Sequence, residues 1–214
     1  TFEVQDIPAI ATAAHEAGAL LAIDNTWASP LYFKPFAHGA DISIQAGTKY
    51  IVGHADAMLG AITVTEPLAQ RLAVEAGGLG ICAGTEEMFL GLRGFRTLDV
   101  RLERHWRSGV EIAGWLEGRP EVARVLHPAL PSHPQHELWQ RDFLGASGLF
   151  SVVLKPCPKE ALAAMLDGYE LLGMGASWGG YESLVLPFDA AKARSATAWR
   201  PEGRGVWAAA CCTP

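Results

Sequence analysis

The segment Ala19-Leu20-Leu21-Ala22-Ile23 is apolar at every position and runs straight into Asp24-Asn25-Thr26-Trp27. A run without polar alternation suits a parallel strand covered on both faces, the kind found in open α/β sheets. The helix before it is punctuated to match: Ile7 to Gly18 has Pro8 near its start, where a missing N–H costs little, and Gly18 at its end, where a left-handed cap is easy. Asp41-Ile42-Ser43-Ile44-Gln45-Ala46 makes a second short strand, and Met58 to Val64 a third. Ligands in open α/β sheets collect at the carboxyl ends of strands, so Asp24 and the stretch Gly47-Thr48-Lys49 stand where a small molecule binds.

Further along, Pro67 to Ala76 reads as a helix. Thr97 reads as the cap of a longer one, with Leu98, Leu102, His105, Gly109, Ala113 and Leu116 on one face and Gly118-Arg119-Pro120 as its stop. Beyond it the units shorten: strand Val122 to Leu126, helix Glu137 to Arg141, strand Gly148 to Leu154, helix Lys159 to Leu166, then Glu170 to Gly173 and Ser183 to Leu186. Mixed strands with two helices predict a small α+β unit. The expected division is therefore 1–118, then 119–203, with 204–214 an aberrant tail showing neither strand alternation nor a capped helix.

Composition excludes several classes of partner. The 17 basic and 23 acidic residues are interspersed, so no basic field for nucleic acid or anionic lipid is visible. The longest apolar runs fall well below the ~20 residues of a membrane span, which makes the cytoplasm the default address. Cys82, Cys157 and the adjacent Cys211 and Cys212 have neither metal-ligand nor secreted-disulfide spacing, and the seven histidines form no metal motif; no metal is expected. His54 alone lies close after Lys49, and a structural hydrogen bond explains it equally well.

The chemistry rests on three groups. Lys49 supplies an amine able to form a Schiff base, and Asp24 a carboxylate able to keep a pyridinium nitrogen protonated; at the ends of two strands this pairing suggests pyridoxal phosphate. Taken singly, a lysine near a strand end is most often a solvated charge, and Asp-Asn after a strand is ordinary turn chemistry. Thr48 and Gly47 offer a hydroxyl and an open backbone to a phosphate. The third group, Ser177-Trp178-Gly179-Gly180, fits a ligand wall whose glycines admit close approach, and equally a tight turn with a packed Trp.

Asp24-Asn25-Thr26-Trp27, Ser43 to Asp56, Gly91 to Leu98, His127 to Pro131 and Ser177 to Leu184, in this order, resemble the Cys/Met-metabolism group of pyridoxal-phosphate enzymes, from Phe2 to about Gly203. The resemblance is strongest to its bacterial β-lyases. It implies a fold-type-I, aspartate-aminotransferase-like α/β large domain followed by a smaller α+β domain, both incomplete. By the same resemblance Lys49 carries the cofactor as a Schiff base, Asp24 pairs with the pyridinium nitrogen with Thr26 beside it, Thr48 contacts the phosphate, and Ser177 and Trp178 border the substrate. Ala46 stands where many relatives have a phosphate-binding Ser, so the resemblance implies that this contact is either absent or replaced by Ser43.

The activity implied is carbon–sulfur β-elimination, cleaving cystathionine to homocysteine, pyruvate and ammonia in transsulfuration and methionine biosynthesis. A γ-synthase or γ-lyase is one alternative; a non-catalytic truncated piece of such an enzyme is another. The partners implied are a small sulfur amino acid and copies of the chain itself, as a tetramer. Relatives are expected to be about twice as long, with phosphate-clamping and ring-stacking residues upstream of Thr1 and a carboxylate-binding Arg in a late strand, for which Arg204 is a poor stand-in.

Overall fold

The computed structural model describes residues 1–193 and 207–211. Helix α1, Ile7–Glu16, is capped by Asp6, whose carboxylate accepts from the Ala9 N–H, and has Pro8 in its first turn. It leads to strand β1, Ala22–Asp24, then to the short helix α2, Ser29–Tyr32, and a 3-10 turn at Pro35–His38. Strands β2, Ile42–Ala46, and β3, Gly60–Val64, complete a sheet ordered β1-β2-β3, with β1 parallel and β3 antiparallel to β2.

This sheet differs from the expected strand covered on both sides. Ile23 is half-buried, whereas Ala22 and Asp24 are exposed. Leu21 and Ile23 pack toward Ile7, Ala28 and Phe33, and Ser43 and Gln45 are buried on the same face of β2. The opposite face, carrying Ala22, Asp24, Ile44 and Ile62 in register, is open among the described residues. The apolar run records what the strand is suited to, but burial needs a second layer.

Helices α3, Glu66–Gly78, α4, Thr85–Phe95, and α5, Leu98–Glu117, follow. Helix α4 is not legible in the sequence, because Gly91 and Gly94 depress its propensity. Both glycines serve packing: a β-carbon on Gly91 would meet Leu59 Cδ2 at 2.4 Å, and one on Gly94 would meet the Ile51 and Val52 carbonyl oxygens at 2.3 Å. Helix α5 buries Leu98, Leu102, His105, Gly109 and Ala113, the face its periodicity predicts. Thr97 precedes it but makes no cap; its hydroxyl turns back to donate to the Gly94 carbonyl and accepts from Arg101 Nε.

A second sheet holds β4, Val122–Leu126; β5, Leu149–Leu154; β6, Gly173–Met174; β7, Leu184–Phe188; and β8, Trp207–Cys211, in the order β4-β5-β8-β7-β6. Only β6 and β7 run parallel. Helices α6, His136–Asp142, α7, Lys159–Asp167, and α8, Ala190–Ala193, lie between its strands in the chain. Ala113, Val125, Leu130, Phe150 and Val152 form the core between α5 and this sheet.

The expectation of an unpatterned tail over 204–214 fails for Trp207–Cys211. Those residues pair with both β5 and β7, so β8 is an interior strand. Alanines carry little strand propensity and no alternation, so only the two neighbouring backbones identify it. The remaining residues of the tail, including Arg204, lie outside the described residues.

Candidate active site

Asp24 ends β1 and is held by its own loop. Its Oδ1 accepts from the Thr26 N–H at 2.9 Å and from the Thr26 hydroxyl at 2.5 Å. That hydroxyl oxygen in turn accepts from the Ala46 N–H at 2.8 Å, and the Asn25 N–H reaches the Ile44 carbonyl. Thr26 therefore ties the carboxylate to the last residue of β2 and leaves the rest of it toward solvent.

The turn after β2 sets Lys49. Its N–H donates to the Ala46 carbonyl, while the Val52 and Gly53 N–H groups close back on Gly47 and Lys49. Thr48 is committed to a neighbour: its N–H donates to the Leu59 carbonyl, and its hydroxyl accepts from the Leu59 N–H at 2.9 Å and lies 3.3 Å from that carbonyl. Contact with a phosphate requires the hydroxyl proton to leave Leu59. A β-carbon on Gly47 would lie 3.1 Å from the same carbonyl, so the glycine serves this packing. Ser43 is buried in mid-strand beside Gln45, on the face of β2 opposite Asp24, and is not brought to the carboxylate.

Ser177 and Trp178, 128 residues further on, come to the lysine. Lys49 Nζ donates to Ser177 Oγ at 2.8 Å and lies 4.1 Å from the centroid of the Trp178 ring. Trp178 packs on the cluster of Tyr50, Leu98 and Leu102, and its indole N–H is buried without a hydrogen-bond partner among the described residues. Gly179, at φ +82°, sits against Lys49 and Tyr50, and Gly180 against Ala55. A cavity of about 350 Å³ opens beside this loop, bordered by Ser177, Trp178, Leu149, Leu184, Leu186 and Phe188.

Two supports escaped the sequence reading. Tyr50 is buried, with its ring edge-on to His105 at 5.5 Å, and anchors the lysine turn on α5. Trp27 joins the Asp24 loop to the second sheet: its indole N–H donates to the Leu149 carbonyl at 2.9 Å, and its ring meets His127 and Phe143 edge-on. His127 is fully buried. Its Nδ1 accepts from the Ala129 N–H, which leaves the Nε2 proton for the Ser147 carbonyl, and burial pushes its pKa down to about 4. The apolar run after Lys49 was a signal for Tyr50; the contact of Trp27 spans 122 residues and left none. His54 donates from Nδ1 to the Val52 carbonyl, a local structural role.

Residues 1–206 match the model of the family described as Cys/Met metabolism PLP-dependent enzyme. The chain belongs to that family. It is 46% identical over 206 residues to cystathionine beta-lyase MetC of Escherichia coli, covering 95% of this chain and 51% of that protein. With cystathionine beta-lyase of Salmonella typhimurium it shares 47% over 189 residues, covering 87% and 48%. The chain thus spans about half the length of the curated relatives it matches. A crystal structure of cystathionine gamma synthase from Xanthomonas oryzae pv. oryzae, in complex with aminoacrylate and cysteine, superposes with a TM-score of 0.87 at 32% identity, over 99% of this chain and 56% of the other.

The fold is accordingly that of the fold-type-I pyridoxal-phosphate enzymes. The donor set fits the family's cofactor: a primary amine follows β2, a carboxylate with one oxygen free of any bond to a described residue ends β1, and the two strands are adjacent and parallel. Among the described residues no cluster of three or more His, Cys, Asp or Glu could hold a metal ion, and no helix is long and apolar enough to cross a membrane.

Proposed function

We propose that the chain carries the catalytic residues of a pyridoxal-phosphate-dependent carbon–sulfur β-lyase acting on cystathionine. The contact of Lys49 Nζ with Ser177 Oγ and the Trp178 ring supports this reading, because it joins an amine to a hydroxyl and an aromatic ring that themselves line a cavity. Pyridoxal phosphate, when bound, supplies an electron sink for charge developing at the substrate α-carbon.

The protein's own groups supply the rest. Lys49 would hold the cofactor, and its amine would serve as the base for the α-proton and as the acid for the departing sulfur. Ser177 Oγ accepts from Lys49 Nζ and so positions the amine beside it. Asp24 would keep the cofactor's ring nitrogen protonated, because a fixed carboxylate favours the charged form. Thr26 aims that carboxylate, and Thr48 turns to the phosphate only by exchanging its Leu59 contact. The Trp178 ring keeps water from one side of the amine.

β-Elimination is preferred over the γ-reactions because both curated relatives quoted above are named as β-lyases, although the solved neighbour is a γ-synthase. The reading includes a homo-oligomer, a tetramer by resemblance, in the cytoplasm. It also includes a division near residue 118, with Asp24 and Lys49 before it and Ser177 and Trp178 after. The test is a product assay on cystathionine with the chain alone and supplied with the half of the fold it does not match. Pyruvate with homocysteine is expected from the assembled protein. 2-Oxobutyrate with cysteine instead would make it a γ-lyase, and neither product would end the lyase reading.

A further inference from the structure

We infer that Arg101 of α5 is a positioning residue for Lys49, acting through the turn of residues 47–53 that carries the lysine. Its guanidinium lies across the α-carbon of Gly53: a β-carbon there would come within 2.0 Å of Nη1 and 2.3 Å of Cζ, and the backbone has φ +72°. Gly53 closes the turn, since its N–H donates to the Lys49 carbonyl at 2.8 Å. Arg101 Nη2 donates to the Gly94 carbonyl at 2.7 Å, and Nε to the Thr97 hydroxyl at 3.0 Å. Gly94 in turn rests on the Ile51 and Val52 carbonyls. One guanidinium therefore joins the last turn of α4, the start of α5 and the final residue of the lysine turn.

Stability alone does not call for an arginine here. Burial lowers its pKa, the nearby charge of Asp99 works against that, and the guanidinium makes no ion pair among the described residues. Nη1 is buried without a hydrogen-bond partner among the described residues. A buried donor without an acceptor is costly, and an apolar side chain of similar volume is often at least as stable in such a place. An apolar chain cannot hold two acceptors on one rigid fork while its flat face covers a bare α-carbon. The lysine turn is thus braced twice, by Arg101 at Gly53 and by Gly179 at the Lys49 carbonyl carbon and the Tyr50 nitrogen. The amine carried between these braces meets Ser177 Oγ.

Arg101 has this role only if Lys49 is the cofactor lysine, so two readouts keep the two failures apart. The first uses no cofactor: amide exchange of residues 1–214, read at the Val52 and Gly53 N–H groups, which donate to the Gly47 and Lys49 carbonyls. In Arg101→Met the Thr97 hydroxyl still donates to the Gly94 carbonyl, so the denaturant midpoint should stay near that of the parent. Exchange at the turn should nevertheless quicken at least about tenfold relative to the buried face of α5. Arg101→Lys keeps the charge and loses the fork; it should behave alike, and it decides the matter if Arg101→Met does not fold. The second readout is borohydride capture of pyridoxal phosphate by the assembled protein, mapped by peptide. The adduct on Lys49, measured against those on Lys34, Lys155, Lys159 and Lys192, should fall at least about tenfold in both variants. Unchanged exchange at the turn in the folded variants would overturn the assignment, as would faster exchange with the Lys49 adduct unaltered. Loss of folding in both variants, or exchange rising equally across the chain, would make Arg101 a structural residue alone and overturn it too. A parent that takes no cofactor at Lys49 fails the lyase reading, and exchange then still decides whether Arg101 sets the turn.

Discussion

Gly179 rests against the backbone of Lys49, so close that a β-carbon there would lie 3.0 Å from the lysine carbonyl carbon and 3.1 Å from the Tyr50 nitrogen. With φ at +82° the position also disfavours any L side chain. This contact lets the next-door Ser177 and Trp178 reach the lysine amine.

Gly179→Ala should therefore destabilise the chain by about 1–3 kcal/mol and loosen the Ser177 contact. Gly114→Ala is the control: it lies inside α5 with open space around it and should stabilise by about 0.5–1 kcal/mol. Denaturant midpoints of the two variants are expected to move in opposite directions.

Borohydride reduction after incubation of the assembled protein with pyridoxal phosphate should fix the cofactor to Lys49, and Lys49→Ala should abolish the adduct. Peptide mapping is the measurement. A principal adduct on Lys34, Lys155, Lys159 or Lys192 would remove Lys49 from its assigned role.

Asp24→Asn keeps an oxygen to accept from the Thr26 N–H and hydroxyl, so folding should survive. The neutral amide cannot hold the ring-nitrogen proton, and the loss of one fixed electrostatic partner is expected to cut kcat by about 10²–10³-fold. Near-normal turnover in the variant would reduce Asp24 to a turn residue.

Stability should fall with acid in a window set by His127. Burial lowers its folded pKa to about 4, from 6.5 in the open chain, so between these values the unfolded state binds the extra proton. The contribution is complete above about pH 6.5 and is lost as pH drops toward 4, on the order of 3 kcal/mol in all. Protonating Nδ1 would also displace the Ala129 N–H it accepts. Unfolding free energies at pH 7 and pH 5 should differ, and His127→Gln should flatten that slope.

The placement of Asp24 and Lys49 at strand ends was legible in the sequence, because an apolar run and the polar residues that stop it lie within one short window. So was the buried face of α5, which a 3.6-residue period reports directly. The targets of contact were not. Nothing in the spacing says that Leu59 lies against both Gly47 and Thr48, or that Gly179 and Gly180 lie against Lys49, Tyr50 and Ala55. Helix α4 was hidden by glycines whose value appears only against Leu59, Ile51 and Val52. Strand β8 was hidden because an interior strand of alanines is defined by the backbones on either side of it. Local pattern fixes which groups stand at strand ends and which helix face is apolar. The meeting of Lys49 with Ser177, and the choice of which sheet face stays open, depend on how distant segments close on one another, and residue spacing does not carry that information.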